Sequence, residues 1–241
     1  YSGVERIFLM GIDRDWKSKI DIERKLKNDG SEQSPLMIIS NGCSAYGIDC
    51  GASTKISRLP AYKEYVFDNF KDDPIYGKTH IYGNWTTEDA DEYMDFIDNV
   101  PVAFLGDKIA NAKYGLAYSQ QPGFVTVKAW ELIILGLIPF IHPDYDKDRI
   151  LGFPEYVYLK SAEDFKNKIH ELDVNPELYK EIMKQCQDCI KDEYLDGRDL
   201  NNFLFGSIAK DMNFEYEPCK VGTDCSLFNH FNKDVINNKT K

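Results

Sequence analysis

Short apolar, β-branched runs alternate along this chain with longer stretches in which apolar residues recur every three or four positions. The runs ERIFLM (5–10), PLMIIS (35–40), KTHIYG (78–83), YGLAY (114–118), LIPFI (137–141) and Tyr156–Leu159 predict short strands. Pro60 suits the first position of a helix that carries Tyr62, Tyr65, Val66 and Phe70 on one side. TEDADEYMDFI (87–97) predicts a short acidic helix, and residues 124–135 a buried one that stops at Gly136. Ser161-x-x-Asp164 has the form of a capping box for a helix reaching about Leu172. Asn175–Pro176 opens the next, with Leu178, Ile182, Met183, Cys186 and Ile190 at helical spacing. A last helix is expected over Leu200–Asp211, followed by an irregular polar tail, 212–241. Residues 14–28 are charged and ambiguous, ending at the breaker Asn28–Asp29–Gly30–Ser31.

Strands alternating with helices imply βαβ units. The expected fold class is therefore α/β, a Rossmann-like parallel sheet with helices on both faces. Its organisation reads as a linker or edge segment (1–34), the Rossmann-like domain (35–195) and a C-terminal helix with an irregular tail (196–241). In such sheets ligands sit at the carboxyl ends of the strands, which directs attention to loops 41–58, 83–86, 98–101, 119–125 and 142–148.

The helix beginning near Val125 is apolar nearly all round, yet Lys128 and Glu131 interrupt it on one face. A lysine in a first helical turn opposes the helix dipole, which makes sense if an anion is held there. Glu131, one turn on, could then accept hydrogen bonds from hydroxyls; together the two describe a phosphate and a ribose. The competing reading is a pair that satisfies itself at the edge of a buried helix. The loop 41–58 leaves a strand and enters a helix through three glycines, with Lys55 and Arg58 near the helix start. That is a phosphate-cradling context, although it matches neither the G-x-G-x-x-G nor the P-loop pattern, and a long surface loop is its alternative.

Composition narrows the function. The 241 residues carry 29 Lys and Arg against 40 Asp and Glu, a net charge of −11, which argues against nucleic-acid binding across the surface and leaves only a local basic cleft open. No run of 18 apolar residues exists to cross a membrane. Six cysteines are too few for a disulfide scaffold and fit a reduced, cytoplasmic setting. Asp144, Asp146 and Asp148 after His142 suggest a metal loop, but Arg149 stands where a calcium loop needs glycine, so a solvated turn is expected. Cys186-x-x-Cys189 with Cys219 and Cys225 could bind zinc, but the first pair falls inside a helix, and buried thiols are the plainer reading. His80 and His170 are expected to be structural and show no partner, and no Ser/His/Asp or Cys/His constellation can be assembled.

The segment 122–172 resembles the UDP-binding, C-terminal domain of the T-even-phage DNA β-glucosyltransferase family, two-domain enzymes of GT-B fold. The family's order of aromatic, apolar, Thr, apolar, basic, apolar, Trp and Glu is met by Phe124, Val125, Thr126, Val127, Lys128, Ala129, Trp130 and Glu131. The likeness continues to about Ile190 and, more patchily, upstream to about Val4: Gly42–Ser57, Arg58 and Pro60–Phe70 resemble its loop, arginine and helix, Tyr82–Gly83–Asn84 its Phe-Gly-Asn, and Val100–Pro101 its Ile-Pro. The resemblance implies transfer of a sugar, glucose in the family, from UDP-glucose to a hydroxyl such as that of hydroxymethylcytosine in phage DNA. It implies that Glu131 binds the ribose, that Lys128 and Arg58 neutralise the diphosphate, and that Val100, Tyr82 and Gly83 hold the uracil. Gly42, Ser44, Lys55 and Thr126 complete the implied donor site.

Three departures matter. The family has Arg where this chain has Lys128, a second loop arginine falls near Thr54 with Lys55 as substitute, and the loop is longer here. The family's amino-terminal domain, source of the DNA contacts and the catalytic carboxylate, has no counterpart, so no catalytic base is named. A chain that starts at Tyr1 is accordingly expected to be a processed product or fragment whose acceptor domain comes from elsewhere or from a partner chain. A divalent metal is compatible with this chemistry, but nothing in the sequence indicates one. The alternatives are a glycosyltransferase for a non-DNA acceptor and a non-catalytic nucleotide-binding or interaction module.

Overall fold

Every strand the structure describes pairs in parallel. The computed structural model describes residues 15–28, 37–39, 59–82, 97–98, 111–119, 123, 125–191 and 210. The elements below belong to one compact unit, Lys17–Cys189. Met37–Ile39 (β1) pairs with His80–Tyr82 (β2), which pairs with Ile97–Asp98 (β3). Tyr114–Ala117 (β4) pairs with Ile138–Ile141 (β5), Tyr114 opposite Ile138 and Ala117 opposite Ile141. The hydrogen-bonded ladders form a three-stranded sheet, β1-β2-β3, and a two-stranded one, β4-β5; β1 lies alongside β4, which sets the strands in the order β3-β2-β1-β4-β5. This is a doubly wound order, in which the direction of building reverses between β1 and β4. All eight residues of β4 and β5 are buried, as strands covered on both faces must be.

The helices begin where local chemistry starts them. Ile22–Leu26 (α1) is capped by Asp21, whose carboxylate accepts the Arg24 N–H at 2.9 Å. Leu59–Tyr62 (α2) passes through a π turn, Lys63–Phe67, into Asp68–Phe70 (α3). Tyr62, Tyr65, Val66 and Phe70, the predicted face, are all buried, and the widened turn adds Phe67 to them. After Lys128–Ile134 (α4), the Ser161 hydroxyl accepts the Asp164 N–H at 3.1 Å and opens Ala162–Val174 (α5). The Asp164 carboxylate closes the cap on the Lys160 N–H at 2.9 Å rather than on Ser161 itself. Asn175 caps Pro176–Asp188 (α6) by accepting the Leu178 N–H at 3.1 Å. Among the described residues no helix is long and apolar enough to cross a membrane.

Edge-on ring pairs, Phe70 with Phe165 and Phe165 with Phe140, tie α3 and α5 to the sheet. Asp173 near the end of α5 accepts hydrogen bonds from Tyr76, Lys113 and, at 2.9 Å, Tyr114. Burial first, then the Asp173 charge for Tyr76 and the neighbouring Tyr76 and Asp173 for Tyr114, push both phenols far above their ordinary range, so both remain donors. Truncating Asp173 would strand the Lys113 ammonium, whose side chain is 7% exposed.

Three expectations are corrected. Tyr156–Leu159 is not a strand: Pro154 starts a 3-10 turn, Glu155–Val157, and Tyr158 alone makes a parallel bridge, to Ile141. Ile97 belongs to β3 rather than to the acidic helix. The helix expected over 124–135 spans Lys128–Ile134. The strand expected at 5–10, the rest of the acidic helix and, apart from helical Lys210, the helix at 200–211 lie outside the described residues.

At Gly136 the backbone takes φ +77° and ends α4. Gly136 N–H reaches Ile133 C=O and Leu137 N–H reaches Leu132 C=O, each at 2.9 Å, the paired closure of a Schellman motif. A Cβ at Gly136 would come within 2.7 Å of Ile20 Cγ2 and 2.9 Å of Lys25 Cε. The Lys25 side chain beside it is buried, donates to the Ala112 carbonyl at 2.7 Å, and has its pKa lowered to about 8 by burial. Gly136→Ala is expected to destabilise the chain by about 1–3 kcal/mol through backbone strain and crowding. Urea unfolding measures it, and an unchanged midpoint would contradict this closure.

Candidate functional site

Within each ladder the strands are parallel, so their carboxyl ends share one edge. There the exits of β4 and β5 are stitched together. His142 N–H donates to Ala117 C=O at 3.0 Å, and Gly123 N–H to Asp144 C=O at 2.7 Å. The buried Tyr145 hydroxyl donates to Thr126 C=O at 2.6 Å and accepts the Thr126 N–H at 3.1 Å. It also lies 3.0 Å from Thr126 Oγ1, which accepts the Lys128 N–H at 3.3 Å. Held in this way, Val125 and Thr126 stay outside the helix, Val127 caps it and helix begins at Lys128, which is why α4 is shorter than its apolar pattern suggests. Thr126 spends its N–H, C=O and hydroxyl on this clamp.

One turn of α4 then presents the two predicted charges. Ala129, Trp130, Leu132 and Ile133 are buried, while Lys128 and Glu131 lie on the remaining face with side chains 27% and 43% exposed. The ammonium and the carboxylate bind each other, as the self-satisfied reading expects. A part-exposed pair at this spacing is worth less than about 1 kcal/mol. A ligand that gives each charge a better partner opens it at small cost.

The aspartate loop is not the solvated turn expected. Asp146 is buried and accepts from Ile150 N–H at 2.9 Å, Leu151 N–H at 3.1 Å and the Tyr158 hydroxyl at 2.7 Å. Arg149, at φ +57°, lies 3.5 Å over the Tyr158 ring and pairs with Glu155. Asp144 pairs at the surface with Lys147 at 3.0 Å. Among the described residues no group of three or more His, Cys, Asp or Glu is placed to hold a metal ion. Cys186 is buried in α6, with Cys219 and Cys225 outside the described residues. His170 does have a partner, Asp73 at 2.9 Å.

Of the other expected donor residues, Tyr82 ends β2, where its backbone alone is described. Gly42, Ser44, Lys55, Arg58, Gly83 and Val100 lie outside the described residues. The sequence reading missed Tyr145 and took His142 only as a neighbour of the aspartates. Its place directly after an apolar strand was the available signal. The His142 ring packs 4.6 Å from Tyr65 and 4.7 Å from Tyr118, and its Nδ1 accepts the Asp144 N–H at 3.0 Å. Burial lowers its pKa to about 4, a nearby Asp144 offsetting part of this and Lys147 adding to it.

Parallel strands in this doubly wound order make a Rossmann-like α/β domain of the kind that forms one half of a GT-B fold. The particular fold it resembles is that of T4 phage β-glucosyltransferase. Against the structure of that DNA-modifying enzyme solved with and without uridine diphosphoglucose, the TM-score is 0.54 at 14% identity, over 75% of this chain and 52% of that one. Against a mutant form in complex with UDP-glucose it is 0.53 at 13% identity, over 76% and 49%. A further complex with the UDP-glucose substrate gives 0.52 at 12%, over 76% and 50%. The chain thus spans about half the length of these enzymes, and the likeness is one of fold. No protein-family profile and no curated relative matches by sequence.

The histidine carries a pH signature. The folded chain keeps His142 neutral down to about pH 4, whereas an unfolded chain protonates it near 6.5. Between those values the unfolded state binds more protons, so this residue's contribution to stability falls as pH drops through the window. The stability difference between wild type and His142→Gln, from urea unfolding at a series of pH values, is therefore expected to shrink from pH 6.5 to 4. A constant difference would contradict a buried neutral imidazole.

Proposed function

We propose that this chain is the donor-binding half of a glycosyltransferase, taking a UDP-sugar, with glucose as the sugar. The observation that carries the reading is the placement of Lys128 and Glu131 together, part-exposed, on the first turn after the β4 exit. In doubly wound sheets the crevice where strand order reverses, here between β1 and β4, is where ligands bind. The Lys128 ammonium leaves Glu131 for the diphosphate, and the freed Glu131 carboxylate accepts from the ribose hydroxyls. Lysine does this as a point charge without the bidentate grip of arginine, so further cations are needed. Arg58 and Lys55, with Gly42 and Ser44, lie in sequence between β1 and α2 and supply them from the β1 side. Tyr82, Gly83 and Val100, at or just after the carboxyl ends of β2 and β3, hold the uracil.

In the reaction the acceptor hydroxyl oxygen bonds to the anomeric carbon while the bond from that carbon to the diphosphate oxygen breaks. UDP leaves with the electron pair, and the acceptor proton passes to a base. Cationic side chains at the diphosphate stabilise the charge that builds there. The base and the acceptor contacts come from a domain outside these 241 residues or from a partner chain, and the acceptor is the hydroxyl of a hydroxymethylated base in DNA. A net charge of −11 suits a half that does not itself grip DNA.

Isothermal titration of the chain with UDP tests the assignment. Wild type is expected to bind, with Lys128→Ala and Glu131→Ala each weakening UDP about tenfold or more, the usual loss for a hydrogen bond to a charged group. No heat with wild type, or equal affinity in Glu131→Ala, would overturn it.

A further inference from the structure

His142 is the first residue after β5 and 8% exposed. Three routes of the chain meet at its ring: Tyr65 from the helix that follows β1, Tyr118 from the exit of β4, and Asp144 from its own loop. Tyr118 in turn packs on Tyr62 of α2, ring centroids 6.0 Å apart. The imidazole therefore sits where the exits of β4 and β5 converge with the segment after β1, at the reversal point of the strand order. Its tautomer is fixed, because Nδ1 accepts the Asp144 N–H and the ring proton must reside on Nε2. Among the described residues Nε2–H has no hydrogen-bond acceptor. The mechanism proposed above leaves this donor unused.

We propose that His142 reads the sugar: its Nε2–H donates a hydrogen bond to a ring hydroxyl of the sugar carried on the nucleotide. The inference rests on the nucleotide-sugar reading and adds a specificity residue to it. The surroundings favour a hydroxyl over a phosphate. The imidazole is uncharged, its neighbours are the faces and edges of two tyrosine rings, and the cation acting on it, Lys147, is paired with Asp144 at 3.0 Å. Aromatic walls suit the C–H faces of a pyranose, while the one fixed donor demands an oxygen. The diphosphate is served instead by the cation on α4. A site with a committed donor discriminates against a ligand that lacks the matching oxygen, since that ligand covers the donor and leaves it unmet.

The test compares UDP with UDP-glucose on the full chain by isothermal titration. His142→Phe keeps a ring between the tyrosines and removes the donor, while His142→Gln restores an N–H near the position of Nε2. His142→Phe is expected to bind UDP within about twofold of wild type but UDP-glucose about tenfold more weakly, and His142→Gln to recover most of that loss. A purely structural role would weaken both ligands alike and would not be rescued by Gln, and either result overturns the proposal. Equal UDP-glucose affinity in His142→Phe overturns the sugar contact alone, provided Glu131→Ala still loses UDP. Absence of binding of either ligand to wild type removes the nucleotide reading and this contact together. Should His142→Phe fail to fold, nitrogen-15 NMR of the wild type decides. The Nε2–H resonance is expected to move on addition of UDP-glucose and not UDP, and a resonance unmoved by both overturns the proposal.

Discussion

The hydroxyl of Tyr145 binds the backbone of Thr126 through both its N–H and its C=O. This clamp joins the exit loop of β5 to the exit loop of β4 and sets where α4 begins. Were helix to start three residues earlier, as the apolar pattern alone allows, Lys128 would close the first turn rather than open it. With the clamp in place, Lys128 is the first helical residue and Glu131 lies one turn on, both on the face that Trp130 and Leu132 do not occupy. The hydroxyl is buried and saturated with partners, which makes it a positional device rather than a reactive one.

The same edge of the sheet is held rigid by groups that are satisfied internally. Asp146 spends its carboxylate on two backbone N–H groups and the Tyr158 hydroxyl, and His142 spends Nδ1 on Asp144. What stays available among these described side chains is a pair of charges held only by each other and one imidazole N–H. Rigid scaffolding around a few uncommitted polar groups is the physical form of a binding site: the groups are preorganised, and the ligand completes them.

Much of the frame was legible because it is set locally. Ser161 and Asn175 cap the helices they were expected to cap, Gly136 ends α4 where only glycine fits the backbone, and the runs in β1, β2, β4 and β5 are strands. Strand polarity followed from the alternation of elements, and the charged pair on α4 from three-residue spacing. What stayed hidden depends on partners far along the chain. Tyr145 lies 19 residues from Thr126, and Asp173 lies 97 residues from Tyr76 and 60 from Lys113, separations that periodicity cannot register. Asp146 looked like one of three solvated aspartates because its acceptors' work is visible only once the loop is folded. The strand expected at Tyr156–Leu159 failed for a local reason, since Pro154 turns the chain before a ladder can form.

The central claim is that Lys128 and Glu131 hold each other only until a nucleotide diphosphate and its ribose arrive. A crystal structure of the chain grown with UDP tests this most directly. The account predicts the Lys128–Glu131 pair opened, with a diphosphate oxygen within hydrogen-bonding distance of Lys128 Nζ and the ribose hydroxyls on the Glu131 carboxylate. A UDP molecule bound elsewhere, or bound while that pair stays closed, would contradict it.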